Sequence, residues 1–370
     1  MTSLHIYKLP QRSYRQALAR YFNRDQTPVR RATPDWVGRR IPPGITALVP
    51  LAWFLCGVLL CGHPTYPSAR PAVLVSRVVP ASLAQSGSTV TAIAAGLLHS
   101  LALRADGTVV CWGDNSMGQC SPPAGLHDVL GVAAGAFHSL ALRSNGTVVV
   151  WGSNPTGHIN GPPGLTNVAA ISSSFFDNAA VRLDGGVLVW RQDSSTGPIL
   201  SPANLSNVVA IACGGAHYLA LHSNGQVSAW GDNTFGETSV PAGLTLVRAV
   251  AAGAAHSVAL LSNRTVVTWG DDSYGQVSST PAVASVTCIA AGGAHCLALS
   301  SDHTVLAWGC DERGESAVPK ALDGVIAVAA GAYHSLALRA DGTIIAWGDN
   351  SHGQTNVPLT GDAGGGTPER

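Results

Sequence analysis

Histidine is the residue type whose spacing in this sequence most strongly suggests chemistry. Six histidines occupy equivalent positions of a repeat of 39 or 40 residues, and Asp177 occupies the seventh; the six are His99, His138, His217, His256, His295 and His334. Such a ring could bind a metal ion or sense pH. Opposite members of so large a ring cannot converge to the ~2 Å of a metal bond, so we expect no metal site. Each imidazole is expected to bond loop backbone within its own repeat unit.

Carboxylates are the second group that could do chemistry. An acidic pair or an Asp-Asn pair follows several of the repeat's tryptophans, as in Asp114-Asn115. A calcium loop gathers several carboxylates, whereas each of these loops offers about one, so the pairs are expected to cap turns. A glycosidase needs two carboxylates about 5 to 10 Å apart. The conspicuous candidates are Asp177, Asp271-Asp272 and Asp311-Glu312, and nothing in the sequence singles out one of them.

Motifs of other enzyme classes are missing from the sequence. The only lysines are Lys8 and Lys320, and no glycine-rich loop ends in Lys-Ser or Lys-Thr, which excludes a P-loop. HExxH, GxSxG and CxxC do not occur. We therefore predict no catalytic residue, no cofactor and a protein that is not an enzyme. The spacing of six further cysteines assigns no disulfide; they are Cys111, Cys120, Cys213, Cys288, Cys296 and Cys310.

A seven-fold repeat supplies the elements that must position these residues. Each histidine position is followed 13 residues later by a tryptophan: Trp112, Trp151, Trp190, Trp230, Trp269, Trp308 and Trp347. In the unit of residues 328–358, Asp341-Gly342 is a two-residue hairpin turn between alternating segments. A period near 40 with three or four strands is typical of propeller blades. We predict an all-β fold, a seven-bladed β-propeller of seven repeats of about 39 residues, with each tryptophan between neighbouring blades.

Composition agrees with a β-rich chain, since only 11% of the residues are charged and 42 are glycine. An open solenoid is the alternative architecture, but neither terminal unit resembles a polar cap. The predicted propeller occupies residues 88–361. A linker, residues 63–87, precedes it, and a flexible tail, residues 362–370, follows it.

The first 62 residues have a different character. Residues 1–40 carry nine Lys and Arg against Asp25 and Asp35, and residues 45–62 form an uncharged apolar run. This order is typical of a secretory signal with a long basic region, and an uncleaved membrane anchor is the alternative. Both interpretations predict a secreted or cell-surface protein that contacts a membrane only through this segment.

The repeated string GAxHSLAL followed by DGTxxAWGDNxxGQ resembles the repeat of the regulator-of-chromosome-condensation superfamily across residues 88–361. Its WGDNxxGQxxVP form is most similar to bacterial members, including a secreted propeller that inhibits β-lactamases. The resemblance implies a seven-bladed propeller. It implies no single function, because the superfamily includes a nucleotide-exchange factor, photoreceptors and enzyme inhibitors.

Two loop positions vary while the rest of the unit stays fixed: the pair before each histidine position, and the pair xx inside WGDNxxG. Large apolar residues in polar loops are typical of binding surfaces. Similarity to the inhibitor-like members implies that aromatic residues at these positions contact the partner. The predicted partner-binding residues are Leu98, Phe137, Phe175, Phe176, Asp177, Phe235, Tyr274 and Tyr333; the alternative is that some of them pack under loops.

The third unit departs most from the others. Ser174 replaces a glycine, Asp177 a histidine and Arg191 the glycine after Trp190. Two interpretations stay open at this point. Phe175, Phe176, Asp177 and Arg191 could form a specialised patch, or one tolerant unit could have drifted.

The charge of the propeller bears on its partner. Residues 88–361 carry nine Lys and Arg against 17 Asp and Glu, so we expect repulsion of phosphate and no nucleic-acid partner. We predict a non-catalytic extracytoplasmic propeller that binds another protein, in a narrower version an inhibitor of a secreted enzyme. The alternatives are a carbohydrate-binding or carbohydrate-cleaving surface protein and a passive structural module of the cell envelope.

Overall fold

The structure, a computed structural model, describes residues 89–153, 161–162, 165–191, 201–202 and 205–358. The chain divides into two compact units, residues 1–52 and 53–370, and every described residue belongs to the second. The predicted N-terminal segment, linker and C-terminal tail lie outside the described residues. No helix that is long and apolar enough to cross a membrane occurs in the part of the chain that is described.

The described residues form seven antiparallel sheets of three strands each, which we number as blades 1 to 7 in chain order. The strands are β1 Val90–Ala95, β2 His99–Arg104, β3 Val109–Gly113, β4 Val129–Ala134, β5 His138–Arg143, β6 Val148–Gly152, β7 Val168–Ser173, β8 Asp177–Arg182, β9 Val187–Arg191, β10 Val208–Cys213, β11 His217–His222, β12 Val227–Gly231, β13 Val247–Ala252, β14 His256–Leu261, β15 Val266–Gly270, β16 Val286–Ala291, β17 His295–Ser300, β18 Val305–Gly309, β19 Val325–Ala330, β20 His334–Arg339 and β21 Ile344–Gly348.

Each blade follows from the same local signals. The Asp106-Gly107 turn joins β2 to β3, and Gly107 has a φ of 81°, which a residue with a side chain adopts only with strain. In the register of these two strands, His99 pairs with Gly113. The histidine that begins the middle strand and the Trp-Gly that ends the outer strand therefore lie at the same end of six blades, as do Asp177 and Trp190-Arg191 in blade 3.

The core lies between blades, because each middle strand has large side chains on one side and small side chains on the other. Leu101 and Leu103 of β2 face blade 2, where they pack with Ala141 and Trp151. Ala102 faces the other way, into the cluster that blade 1 shares with blade 7. Leucines on one side thus meet a small alanine and a tryptophan on the other, which fills the space between twisted sheets.

The ring closes between the last blade and the first. Trp112 and Val90 of blade 1 pack with Ile326, Leu336 and Leu338 of blade 7. The seven-bladed propeller is therefore confirmed, and so is the position of the tryptophans between neighbouring blades. The open solenoid is wrong, because its two terminal units would not touch.

We expect Trp151→Ala to lower the free energy of unfolding by about 3 to 5 kcal/mol, because a side chain that is 6% exposed leaves a cavity between blades 1 and 2. Urea denaturation followed by circular dichroism measures the loss. Met117→Ala is the control, since Met117 is 54% exposed. An equal effect of the two substitutions would contradict the packing role of the tryptophan.

Candidate functional site

One end of the propeller collects both variable loop positions. The β1–β2 loop precedes His99, and the turn after β3 follows Gly113, its pairing partner. The two segments are also joined directly, since the Asp114 amide donates to the Leu98 carbonyl at 2.8 Å. We call this end, with its seven loops before the histidine positions and the turns after the tryptophans, the loop face.

The histidines join each blade to the next beneath the loop face. The His99 Nε2 lies 2.9 Å from the Ser139 Oγ of blade 2, and this hydroxyl donates to the Gln119 carbonyl of blade 1 at 2.9 Å. The Trp151 indole N–H donates to the same carbonyl, also at 2.9 Å. We call this set of four residues an interblade junction. It corrects the expectation that each imidazole bonds backbone of its own unit.

The junction recurs around the ring. Complete copies join three other pairs of blades: His217, Ser257, Glu237 and Trp269; His295, Ser335, Glu315 and Trp347; and His334, Ser100, Gln354 and Trp112. In the junction of blades 5 and 6, the Cys296 Sγ takes the place of the serine hydroxyl, 3.1 Å from the His256 Nε2. The last complete copy links blade 7 to blade 1 and closes the ring.

Hydrogen-bond counting assigns the histidine tautomer. A serine hydroxyl has one hydrogen, and Ser139 gives it to the Gln119 carbonyl, so the His99 Nε2 must carry a hydrogen and donate. The same holds for His138, whose Nε2 lies 2.7 Å from the Asn178 Oδ1, an atom that can only accept. The Nδ1 atoms then carry no hydrogen and can only accept hydrogen bonds. Within the described residues, those of His99, His217, His256, His295 and His334 are buried without a hydrogen-bond partner.

Burial keeps these imidazoles neutral. It is the largest cause that lowers the pKa of His99 and His295 to about 3, and that of His217, His256 and His334 to about 4. A neighbouring histidine lowers three of these values further. Across the described chain, no group of three His, Cys, Asp or Glu side chains is placed to hold a metal ion. The arrangement fits a structural ring of neutral imidazoles.

The fixed glycine three residues before each histidine has a steric reason. A Cβ at Gly253 would lie 2.1 Å from the His256 Cε1, and one at Gly214 would lie 2.2 Å from the His217 Cε1. No real Cβ approaches another carbon so closely, so the imidazole requires the glycine. In blade 3 the smaller Asp177 replaces the histidine, and Ser174 then replaces the glycine.

Blade 3 contains a rebuilt junction. The Asp177 side chain is 1% exposed, and its Oδ2 accepts a hydrogen bond of 2.6 Å from the Tyr218 hydroxyl of blade 4. Tyr218 stands where four of the other units have the serine, and its ring stacks on Trp230 at 5.3 Å. Ser174, Asp177 and Tyr218 are thus coordinated replacements for glycine, histidine and serine. The contact between Asp177 and Tyr218 within the molecule explains these departures, so no binding partner is needed to explain them.

The turns after the tryptophans hold their tips outward by internal bonds. In blade 1, the Asp114 Oδ1 accepts the Ser116 amide at 3.0 Å, and the Asn115 Oδ1 accepts the Cys120 amide at 2.9 Å. The Gln119 Oε1 accepts the Met117 amide at 2.9 Å. The Asp-Asn pairs cap turns, as the sequence indicated. Because the backbone of each described turn is bonded by its own side chains, the side chain at position 117 and at its equivalents in blades 4 to 7 is left free to vary.

The predicted contact residues fall into three groups by exposure. Phe235 and Tyr274 are 48% and 49% exposed at the turn tips. Four aromatic residues of the loops before the histidine positions are half-buried: Phe137, Phe175, Phe176 and Tyr333. Leu98 and Asp177 are buried, and their burial corrects the prediction that they contact a partner. Of Arg191 the structure describes only the backbone.

The half-buried aromatics form a continuous apolar surface. Leu97, Leu98, Ala136 and Ala332 make its buried floor, and the partly exposed Phe137, Phe175 and Tyr333 pack against them. Phe176 extends it, since its ring centroid lies 6.3 Å from that of Phe137. We call these eight residues the apolar patch. Blades 7, 1, 2 and 3 contribute to it.

One exposed residue at a turn tip is absent from the predicted contact residues, because that prediction relied on aromatic side chains. Met117 of blade 1 is 54% exposed at the position equivalent to Phe235 and Tyr274. The signal that could have found it is this equivalence of position, since methionine is also an adaptable apolar contact residue.

Charge is distributed unequally between the two ends of the propeller. Among the described side chains, the loop-face turns carry one cation, Arg313, against seven carboxylates that are not buried, Asp114, Asp232, Asp271, Asp272, Asp311, Glu312 and Asp349; the turns also contain the buried Glu237 and Glu315. Arg313 is engaged already, because its guanidinium carbon lies 4.9 Å above the Tyr333 ring and its Nη1 lies 3.4 Å from Asp349. The opposite end carries six arginines, Arg104, Arg143, Arg182, Arg248, Arg264 and Arg339, and six aspartates, Asp106, Asp128, Asp184, Asp302, Asp323 and Asp341, with Lys320 nearby, next to the Ala321 carbonyl that accepts from Arg339.

Six segments of the chain match the sequence profile of the regulator of chromosome condensation (RCC1) repeat: residues 90–119, 129–157, 208–237, 247–276, 286–315 and 325–354. The chain belongs to the RCC1-repeat superfamily. The profile does not match the segment between residues 157 and 208, which contains blade 3 with its altered junction. That blade nevertheless forms the same three strands as the other RCC1 repeats.

Solved structures share the fold of this RCC1-repeat chain. Yeast RCC1 (Prp20), solved bound to Kap60, is 19% identical, with a TM-score of 0.58 over 82% of this chain and 89% of that one. The ectodomain of the Arabidopsis thaliana receptor kinase ACR4 is 19% identical, with a TM-score of 0.57 over 70% and 96%. That of the Physcomitrella patens receptor kinase CR4 is 24% identical, with the same TM-score over 70% and 74%. No curated protein matches the sequence.

Acid should destabilise this propeller in a defined window. The unfolded chain takes up protons at its histidines below about pH 6.5, whereas the folded ring takes them up only near pH 3 to 4. The stabilisation is complete above pH 6.5 and is lost as the pH falls toward 4, by up to about 1.4 kcal/mol per pH unit for each imidazole. Urea denaturation at pH 7.5, 6 and 5 measures it. Unchanged stability between pH 7.5 and 5 would contradict buried neutral imidazoles.

The rebuilt junction predicts a compensating pair of substitutions. Tyr218→Phe removes the hydrogen bond to the buried Asp177 carboxylate and should lower the free energy of unfolding by about 2 to 3 kcal/mol. Further replacement of Asp177 by Asn removes the buried charge, so the double variant should recover part of the loss. A double-mutant cycle by urea denaturation measures the coupling. Strictly additive effects would show that the two side chains do not depend on each other.

Proposed function

We propose that this RCC1-repeat chain is a non-catalytic, extracytoplasmic protein that binds another protein through its loop face, in its narrower form as an inhibitor of a secreted enzyme. The observation that carries the proposal is the apolar patch beside exposed Met117, Phe235 and Tyr274. Clustered aromatic and methionine side chains among polar loops are typical of protein interfaces. The basic segment and the apolar run of residues 1–62 support export.

The chemistry of the partner follows from the layout of the loop face. The apolar patch belongs to blades 7, 1, 2 and 3, whereas Phe235, Tyr274 and most of the carboxylates belong to blades 4 to 6. A complementary surface therefore places an apolar anchor on the patch and lysine or arginine side chains over the acidic turns. Arg313, stacked on Tyr333 beside Asp349, is an example within the chain of how a guanidinium fits this face.

The surroundings of Asp272, one of the candidate carboxylates, weigh against its use as the general acid of a glycosidase. A general acid needs a raised pKa, but the backbone amides of Ser278 and Val277 donate to Asp272 and hold its pKa below the usual range. Asp271 accepts the amide and hydroxyl of Ser273. A cavity at the loop face, which residues of all seven blades line, has a volume of about 70 Å³. This is small beside a typical ligand pocket of about 300 to 1,000 Å³, so recognition by the surface is favoured.

A comparison of two opposite ends of the same molecule tests the proposal. We expect the parent chain to capture a protein from the secreted and envelope fraction of its own organism. Replacement of Phe235 and Tyr274 by Ser should weaken binding of that protein, once purified, by at least about tenfold. Replacement of the exposed Leu183 and Leu246 at the opposite end by Ser should not. Affinity should also fall as the salt concentration rises.

Three results would contradict the proposal. Equal affinity of all three chains would remove the turn tips from the interface. Binding of the parent to a glycan array, abolished by the same Phe235 and Tyr274 substitutions while no protein is captured, would favour the carbohydrate-binding alternative. Loss of binding only in the Leu183 and Leu246 variant would move the interface to the opposite end.

A further inference from the structure

Blade 1 has cysteine at two positions of the repeat where no other blade has cysteine. Cys111 directly precedes Trp112 in β3, and Cys120 directly follows Gln119 in the turn. The first position is otherwise Val150, Val189, Ala229, Thr268, Ala307 and Ala346. In blades 4 to 7, the second position is Thr238, Val277, Ser316 and Thr355. Each thiol is therefore a departure from the repeat, and the two departures coincide in one blade.

The fold of the turn places these two positions against each other. In blade 5, the Thr268 hydroxyl, at the position of Cys111, donates to the carbonyl of Val277, at the position of Cys120, at 3.3 Å. The turn of blade 1 is bonded in the same way up to this position, since the Gly118 and Gly275 amides donate to the equivalent Asn115 and Asp272 carbonyls; beyond it the turns differ, because the Ser121 amide donates to Gly118 in blade 1 and the Ser279 amide to Gly275 in blade 5. The Cys120 amide donates to Asn115 at 2.9 Å, just as the Val277 amide donates to Asp272 at 2.9 Å. The Cys111 side chain therefore lies beside the backbone of Cys120.

The properties of the two thiols agree with this proximity. Burial, followed by the charge of the Cys120 thiolate, raises the pKa of Cys111, and only nearby groups interact in this way. Burial and then Asp114 raise the pKa of Cys120 to about 12. Both side chains are half-buried. Each thiol is accessible in part but weakly reactive at neutral pH, so oxidation should be slow and should accelerate at alkaline pH.

The four remaining cysteines of the described residues have other surroundings. Cys213, Cys296 and Cys310 are buried, and the Cys296 Sγ lies 3.1 Å from the His256 Nε2 in an interblade junction. Cys288 occupies a strand position that is alanine in blades 1 and 5, at Ala92 and Ala249. Substitution of Cys288 by Ala therefore offers a matched control.

We propose that Cys111 and Cys120 form a disulfide within blade 1 when the protein meets a small-molecule disulfide such as oxidised glutathione. The Cys120 thiolate attacks one sulfur of the oxidant and releases one glutathione thiolate. The Cys111 thiolate then attacks the Cys120 sulfur of the mixed disulfide and releases the second. Two cysteine protons are lost and two electrons pass to the oxidant. The product is one intramolecular bond and two molecules of reduced glutathione.

The bond would act on the turn that joins blade 1 to blade 2. Gln119, next to Cys120, provides the carbonyl that receives Ser139 and Trp151. Met117, at the exposed tip of the same turn, belongs to the loop face. A link from Cys120 to β3 fixes this turn to its own strand. In an oxidising compartment such a bond persists, whereas the cytosol keeps it reduced.

The sequence provides a direct test, because the chain has two methionines, Met1 and Met117, and Met117 lies between the two cysteines. The full chain is incubated with oxidised glutathione at pH 8.5, its remaining thiols are blocked with iodoacetamide, and it is cleaved with cyanogen bromide in acid. We expect the two halves to stay joined on a non-reducing gel and to separate after reduction. In an uncleaved sample, the tryptic peptide of residues 105–143 should be lighter by two hydrogen atoms and should carry no alkyl group.

Controls use residues that other blades already carry. Cys111→Ala and Cys120→Thr introduce the residues of blades 4 and 7 at these positions, so the blade should fold, as circular dichroism checks. In either variant the halves should separate without reduction, whereas in Cys288→Ala they should stay joined. Separation of the parent halves without reduction overturns the proposal, as does continued joining of the halves in Cys111→Ala. The readout needs no partner, so it is independent of the proposed binding function.

Discussion

Contact between neighbouring blades depends on one backbone carbonyl, which the structure describes in blade 1 and in blades 4 to 7. The carbonyl of Gln119, and of its described equivalents, receives an indole N–H from the following blade, and in four of these five junctions it also receives a serine hydroxyl to which the histidine of its own blade donates. A buried indole or hydroxyl without a partner is destabilising, so in these five junctions one blade satisfies groups that its neighbour buries. The tryptophan thus contributes apolar packing and a directed bond at the same place. Closure of the ring follows, because the last of these carbonyls, that of Gln354, receives Trp112 and Ser100 of the first blade.

This requirement explains which residues change together. The imidazole needs a glycine three residues earlier, because a Cβ would collide with it, and it needs a group on the next blade that can accept from Nε2. When Asp177 replaces the histidine, neither the glycine nor the acceptor for Nε2 is required. A serine is then tolerated at position 174, and Tyr218 spans the gap that a shorter carboxylate leaves. The repeat profile does not match this blade because its residues differ, yet the blade keeps three strands because the same contacts are made by other groups.

The sequence predicted the ring because a fixed spacing of tryptophan and histidine reports the geometry that all blades share. It misassigned the partner of the histidine, since that partner lies 40 residues away and local patterns do not show it. The signal was present, because most histidines of the ring are followed directly by a serine, and that serine is the acceptor for the previous blade. The contact surface was predicted less well. Leu98 and Phe137 occupy equivalent positions, but their burial depends on the neighbouring side chains of the apolar patch, and a single unit's sequence does not contain those neighbours.

The separation between fixed and variable residues follows from how the turns are held. The backbone at Met117, Phe235, Tyr274 and Arg313 is bonded by the Gln or Glu two residues later. The tip side chains therefore make no bond on which the turn depends, and a methionine, two aromatics and an arginine stand on the same backbone. Carboxylates near these tips accept amides of the turns, so the capping residues place acidic groups at this end of the propeller. The loop face is thus acidic because carboxylates cap its turns. The tip residues add apolar side chains to this acidic surface. The tip residues can therefore change without any change in the interblade junctions that keep the ring closed.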